Sequence, residues 1–170
     1  MLGRKDIERA AAVLMGKRLW RCTRAANMTM FDFGHRITVE AFKGHKKLMG
    51  EVVLHVQCAW RIVHKDEIIV GSRDLQYPAD YSETQEVPAD FDWDRDPNRQ
   101  DKLLAALLAN DATNLIVREI KGETAGRFEA ILSEGFSLQV FPDDSLSLEH
   151  WRLFTPRSQR PHFVVSGESS

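Results

Sequence analysis

The stretch EVVLHVQCAWRIV, residues 51–63, decides how the chain folds. Val52, Leu54, Val56, Cys58, Trp60 and Ile62 fall on one side of an extended backbone, while His55, Gln57 and Arg61 fall on the other. Side chains of a strand point alternately to its two faces, so this period-two pattern predicts one long strand over 51–63 with an apolar face on a core. The polar run His64-Lys65-Asp66-Glu67 then predicts a turn, and IIVGS (68–72) a return strand.

Upstream, Ile7, Ala10, Ala11, Leu14 and Met15 recur at helical spacing, so residues 4–16 read as a helix that stops at Gly16. Short strands are expected at 18–24, 28–33 and 36–42. Downstream, Asp96-Pro97 reads as a helix cap followed by a first-turn proline, with Leu103, Leu104, Leu107 and Leu108 as the apolar stripe of a helix ending near Ala109. Strands follow at about 113–121, 126–132, 136–141, 148–154 and 161–166, separated by Gly and Pro punctuation.

This order occurs twice. FGHRITV (33–39) matches EGFSLQV (134–140), Trp60-Arg61 matches Trp151-Arg152, and IIVGS (68–72) matches FVVSG (163–167). The expected fold is α+β: two tandem helix-plus-antiparallel-strand units packed about a pseudo-twofold axis, with two main helices and about ten short strands. Residues 1–77 form the first unit, 78–97 an acidic connector and 98–170 the second unit. Neither unit is large enough to bury its own helix and sheet, so one shared core is expected, with Trp60 and Trp151 as anchors.

The formal net charge is −2. It gives no whole-molecule attraction to nucleic acid or anionic lipid. The charge is unevenly placed, however. Residues 1–77 carry 14 Lys/Arg against 8 Asp/Glu, and residues 78–101 carry 2 against 8. No apolar run approaches the roughly 18 residues that span a bilayer. With no secretion signal read at the start and two cysteines in strand-like runs, the expected compartment is the cytoplasm.

Three constellations stand out. His55, Gln57 and Arg61 on the polar side of 51–63, with Arg152 at the matching place, are candidates for binding an anionic ligand through arginine forks. The alternative is that each arginine pairs with an acid on a solvated sheet face. In the connector, Trp93 flanked by Asp90, Asp92 and Asp94 is a candidate partner-binding segment. Asp90, Asp92, Asp94, Asp96, Asn98 and Asp101 also have the spacing of a twelve-residue calcium loop. That reading is weak, because Arg95 stands where such a loop needs glycine, Asp101 replaces its bidentate glutamate, and no helix precedes it. Finally, Lys17, Arg18, Arg21 and Arg24 surround Trp20 as a basic-aromatic patch. The histidines show no metal-ligand spacing, and no nucleophile-elbow, phosphate-loop or dinucleotide motif is present. No cofactor or metal is expected.

The segment from Gly135 to Gly167, G-F-S-L-Q-V-F-P … E-H-W-R-L-F … H-F-V-V-S-G, resembles the endings of small uncharacterised bacterial proteins. The stretch H-V-Q-C-A-W-R-I-V … I-I-V-G-S-R-D resembles one such family, marked by paired W-R-I/L and I/F-V-V-type strands. Some proteins with similar endings are immunity or accessory factors of bacterial competition systems. The resemblance therefore implies a bacterial binding protein, and it carries over no catalytic residue. The functional expectation is a non-enzymatic interaction protein with another protein as partner, homo-oligomerisation being open. The alternative is a small-molecule binder or enzyme working on the polar sheet face.

Overall fold

The computed structural model describes residues 3–40, 42–109 and 113–167. Among these residues there are two α-helices and ten strands, and every strand pairing is antiparallel. In chain order they are α1 (Arg4–Ala11), β1 (Leu19–Ala25), β2 (Met28–Glu40), β3 (Lys46–Val56), β4 (Ala59–His64), β5 (Glu67–Gly71), α2 (Arg99–Ala109), β6 (Val117–Gly122), β7 (Phe128–Leu132), β8 (Phe136–Phe141), β9 (Glu149–Phe154) and β10 (Phe163–Ser166). The α+β class, the two helices and the count of about ten antiparallel strands are as the sequence patterns lead one to expect. No helix among the described residues is long and apolar enough to cross a membrane.

The strands form two five-stranded sheets, ordered β1-β2-β3-β9-β10 and β6-β7-β8-β4-β5. The two orders coincide when five is added to each strand number or taken from it. Each sheet thus takes three consecutive strands from one half of the chain and a hairpin from the other. The side chains of both sheets meet in one apolar core that includes Phe31, Leu54, Trp60, Phe128, Leu138 and Trp151.

The exchange of hairpins corrects the reading of 51–63 as one strand. Val56 ends β3 in the first sheet, and Ala59 begins β4 in the second. At the crossing, Gln57 N–H and Cys58 N–H both donate to His150 O, at 2.8 and 3.2 Å, which satisfies the backbone where it leaves one ladder for the other. The apolar alternation survives the crossing, since all six residues from Val52 to Ile62 on that face are buried.

Two further expectations are corrected. The strands expected at 28–33 and 36–42 are one strand among the described residues, β2, which runs from Met28 to Glu40 with an irregular register between Phe33 and Arg36; Phe42 belongs to a following turn, and residue 41 lies outside the described residues. Gly34 there takes a φ of +77°, a left-handed conformation that glycine adopts without steric cost. The cap of α2 is Asn98 rather than Asp96. Asp101 N–H donates to Asn98 Oδ1 at 2.9 Å, and Asn98 Nδ2 donates to Asp101 Oδ2 at 2.8 Å, so cap and third helical residue satisfy each other.

Cross-strand registers place the two tryptophans in matching rows. In the first sheet the row reads Arg24–Thr29–Val56–Trp151–Val165. In the second it reads Gly122–Phe128–Val140–Trp60. Trp60 meets Phe31 across the core edge-on, with centroids 5.0 Å apart, and donates its indole N–H to Thr29 Oγ1 at 3.1 Å. Trp151 meets Phe128 across the core at 4.9 Å and donates to Gly126 O at 2.7 Å. Buried indoles need such an acceptor, because an unpaired N–H away from water is costly.

α1 packs on β6, the first strand of the opposite half, and α2 packs on β1 as well as on β5 and the turn at Ser72–Gln76. The two contacts differ. Ile7, Ala11 and Leu14 are fully buried at the α1 side. A Cβ built on Gly122 would lie 2.6 Å from Arg4 O, so the helix rests directly on glycine backbone. The α2 side buries only Gln100 and Leu104 and leaves Leu103, Leu107 and Leu108 half-buried.

Candidate functional site

The feature that organises the surface is Arg24. In its row it stands where Gly122 stands in the other sheet. Its guanidinium spends its donors on α2 and the connector. Nε donates to Asp101 Oδ2 at 3.0 Å, and Nη1 donates to Asp94 Oδ1 at 2.9 Å and to Ala26 O at 3.2 Å. Nη2 donates to Trp93 O at 3.2 Å and to Asp94 O at 3.1 Å. These are five bonds for five N–H groups, the full capacity of an arginine. The planar, rigid fork makes this arrangement specific to Arg rather than Lys.

The connector is therefore a shaped segment tied to β1. Asp92 Oδ1 accepts from Asp94 N–H at 3.0 Å, and Asp96 Oδ2 accepts from Asp92 N–H at 2.9 Å, both local turn bonds. The residues with calcium-loop spacing are engaged within the protein instead. Asp94 and Asp101 are spent on Arg24, Asp92 and Asp96 on turn backbone, and no group of three metal-ligating side chains forms among the described residues. Asp90 is exposed, and Trp93 keeps 37 % of its surface in solvent while its carbonyl is held by Arg24.

An open cleft of about 700 Å³ lies between β1 and α2. Leu104, Ala105 and Leu108 form its helix wall, and Trp20, Arg21 and Cys22 lie on the strand side. Arg21 and Arg36 each hold a guanidinium 4.8 Å from the Trp20 ring centroid. The expected basic-aromatic patch is thus redistributed. Arg21 stays by Trp20, Arg36 joins it, Arg24 turns to the connector, and Lys17 pairs with Glu51. The Trp20 indole Nε1 is buried with no hydrogen-bond partner.

The polar sheet-face constellation is divided by the sheet crossing. His55 and Arg152 are directly opposed on β3 and β9. Arg152 Nε donates to Glu149 Oε1 at 2.6 Å, with a second bond from Nη2 to Glu149 Oε2, and Gln57 Nε2 donates to Glu149 Oε1 at 3.3 Å. Arg61 belongs to the other sheet, where its Nε donates to Gln139 Oε1 at 2.7 Å and Gln139 Nε2 donates to Glu129 Oε1 at 3.0 Å. The two arginines do not converge, and each is engaged by a neighbour on its own sheet.

The electrostatics agree with this pairing. The Arg152 hydrogen bond holds the Glu149 carboxyl below the usual range and, reciprocally, raises the guanidinium. Burial, reinforced by Arg152 and Lys47, lowers the His55 imidazole. His55 Nε2 has no partner, and its ring meets Phe154 edge-on at 4.9 Å. The cleft between β1 and α2 and two smaller cavities, one beside Tyr77 and Tyr81 and one beside Pro78 and Pro88, are not lined by His55, Gln57, Arg61 or Arg152. Burial raises both thiols, Cys58 to about 12 and Cys22 well above its ordinary value, so neither is a ready nucleophile.

No family model, no curated protein and no solved structure matches this chain. The roles of its residues rest on the geometry above.

Proposed function

We propose that the protein is a non-catalytic binding protein of bacterial type that presents its acidic connector to a basic protein partner, as an immunity-like factor masks a basic toxin. One observation carries this reading: Arg24 commits all five donors to residues 93–101 and to the turn at Ala26, so the acidic segment is held in shape before any partner arrives. Preorganisation removes part of the ordering cost of association. Eight Asp/Glu against two Lys/Arg over 78–101 supply electrostatic steering toward a positive surface. Trp93, half in solvent beside them, is the residue type that most often anchors an interface. No cofactor enters this role, and the cytoplasm is its proposed setting.

The test is a set of surface substitutions, Asp90→Asn, Asp92→Asn and Trp93→Ala combined. Excising the segment would also remove Asp94 and release Arg24. Capture from native lysate should yield a basic partner whose retention falls steeply with salt and is lost in the triple variant. Glu67→Gln at the exposed start of β5 should leave retention unchanged. A partner held equally by wild type and triple variant removes the connector from the interface.

The sheet-face alternative receives no support from a cavity or an unengaged arginine. A small-molecule role has a better location in the cleft beside Arg24.

A further inference from the structure

We propose that the cleft between β1 and α2 binds an amphiphilic carboxylate, its apolar body against Leu104, Ala105 and Leu108 and its acid group toward Arg21 and the Trp20 indole. The first argument is the contrast between the two helix–sheet contacts. Where α1 meets the second sheet, Gly122 brings helix backbone into direct contact and the position is filled. In the matching row of the first sheet Arg24 stands as a strut, bonded at its far end to Asp101 in the first turn of α2. A side chain that braces the helix in place of a glycine keeps space open, and the open volume of about 700 Å³ falls within the range of small-molecule sites.

The lining sets the chemical class. The α2 wall is aliphatic, which suits a chain or ring. The polar groups divide along the cleft. At one end Arg24, Asp94 and Asp101 satisfy one another. At the other end the unspent capacity is that of donors. The Trp20 N–H is buried without an acceptor. Arg21 uses Nε on Asp32 and Nη2 on Leu48 O, and neither bond involves Nη1. Arg36 adds a second guanidinium over the same indole. Unspent donors at one end of an apolar trough, with the Arg36 charge behind the indole rather than in the lining, select a ligand with an anionic acceptor at one end of an apolar body. The connector residues substituted in the partner test, Asp90, Asp92 and Trp93, do not line the cleft, although Asp94 does, so the two proposals are tested at different residues.

The experiment uses decanoate as the probe, with decanol and decyltrimethylammonium as comparators of equal chain length, all below their aggregation limits. Calorimetric titration of the full chain should show saturable one-to-one binding of decanoate, with decanol and the ammonium compound at least about tenfold weaker. Ala105→Trp, which fills the trough, should weaken decanoate at least about tenfold, and Ala106→Trp on the same helix should not. Independently of any filling variant, decanoate should move the Trp20 indole proton resonance of the wild-type protein, assigned through Trp20→Phe, more than the other three. Non-saturable uptake, equal binding of the three probes, unchanged affinity in Ala105→Trp, or an unmoved Trp20 indole proton would each overturn the proposal.

Discussion

Arg24 and Gly122 occupy matching rows of the two sheets, yet one braces a helix through Asp101 while its other donors hold the connector and Ala26, and the other lets a helix backbone rest on it. The difference divides the molecule into a closed side and an open side, and both functional proposals lie on the open one.

Replacing Arg24 should loosen that side. Arg24→Lys keeps the charge but cannot direct five donors, and it leaves Asp94, Asp101 and the Trp93 carbonyl short of partners. We expect a loss of about 1–3 kcal/mol in urea unfolding, since bonds to charged groups are worth about that much. Limited proteolysis should cut the connector faster in the variant.

The closed side should be intolerant of bulk. In Gly122→Ala the new Cβ would meet Arg4 O at 2.6 Å and Glu8 Cγ at 2.9 Å. Backbone cannot step aside as a flexible side chain can, so overpacking should cost about 1–3 kcal/mol. Thermal unfolding measures it, and an unchanged midpoint would show that α1 has room to retreat.

Trp60 and Trp151 should behave alike. Each fills the space between the sheets and donates one buried hydrogen bond. Trp60→Ala and Trp151→Ala should each destabilise by about 3–5 kcal/mol. Trp60→Phe keeps most of the ring but removes the donor to Thr29, for about 1 kcal/mol. Chemical denaturation of the four proteins separates these values.

Acidification should weaken the fold in two stages. The folded state disfavours the His55 proton, chiefly through burial, so the unfolded chain binds it more readily. Stability is full above about pH 6.5 and falls as the pH drops from there toward the lowered folded value. Glu149 has the opposite charge and a lowered value, so its contribution persists above the ordinary carboxylate range and is lost only at more acid pH. Comparing unfolding at about pH 7.5 and about pH 5.5, the decline should shrink in His55→Gln.

Cys58 should be silent to thiol reagents in the native state. It is 7 % exposed, and burial lifts its thiol to about 12, so little thiolate exists at about pH 8. Labelling should appear only with global unfolding, and rapid modification of the folded protein would contradict the burial described.

The alternation in 51–63 revealed six buried side chains, because a strand that crosses between sheets keeps its two-residue period, but not Val53, which is buried on the other side. For the same reason it concealed the crossing at Gln57-Cys58, and with it the separation of Arg61 from His55. Gly34 reads as a break in sequence, whereas in the sheet a left-handed glycine lets β2 run on through an irregularity. Arg24 was visible only as one cation among several near Trp20. Its acceptors lie 69 to 77 residues away, apart from Ala26, and no local pattern reports a bond of that span.

The hairpin exchange has a consequence for biogenesis. While the ribosome has delivered only the first half, β4 and β5 have no β8 to join, and β3 lacks β9. The nascent segment must wait with Trp60 and Ile62 short of their neighbours Val140 and Leu138 until most of the remaining polypeptide has emerged. Synthesis of this molecule thus includes an interval of exposed greasy surface, during which holdase chaperones have a natural client and truncated products have no stable refuge.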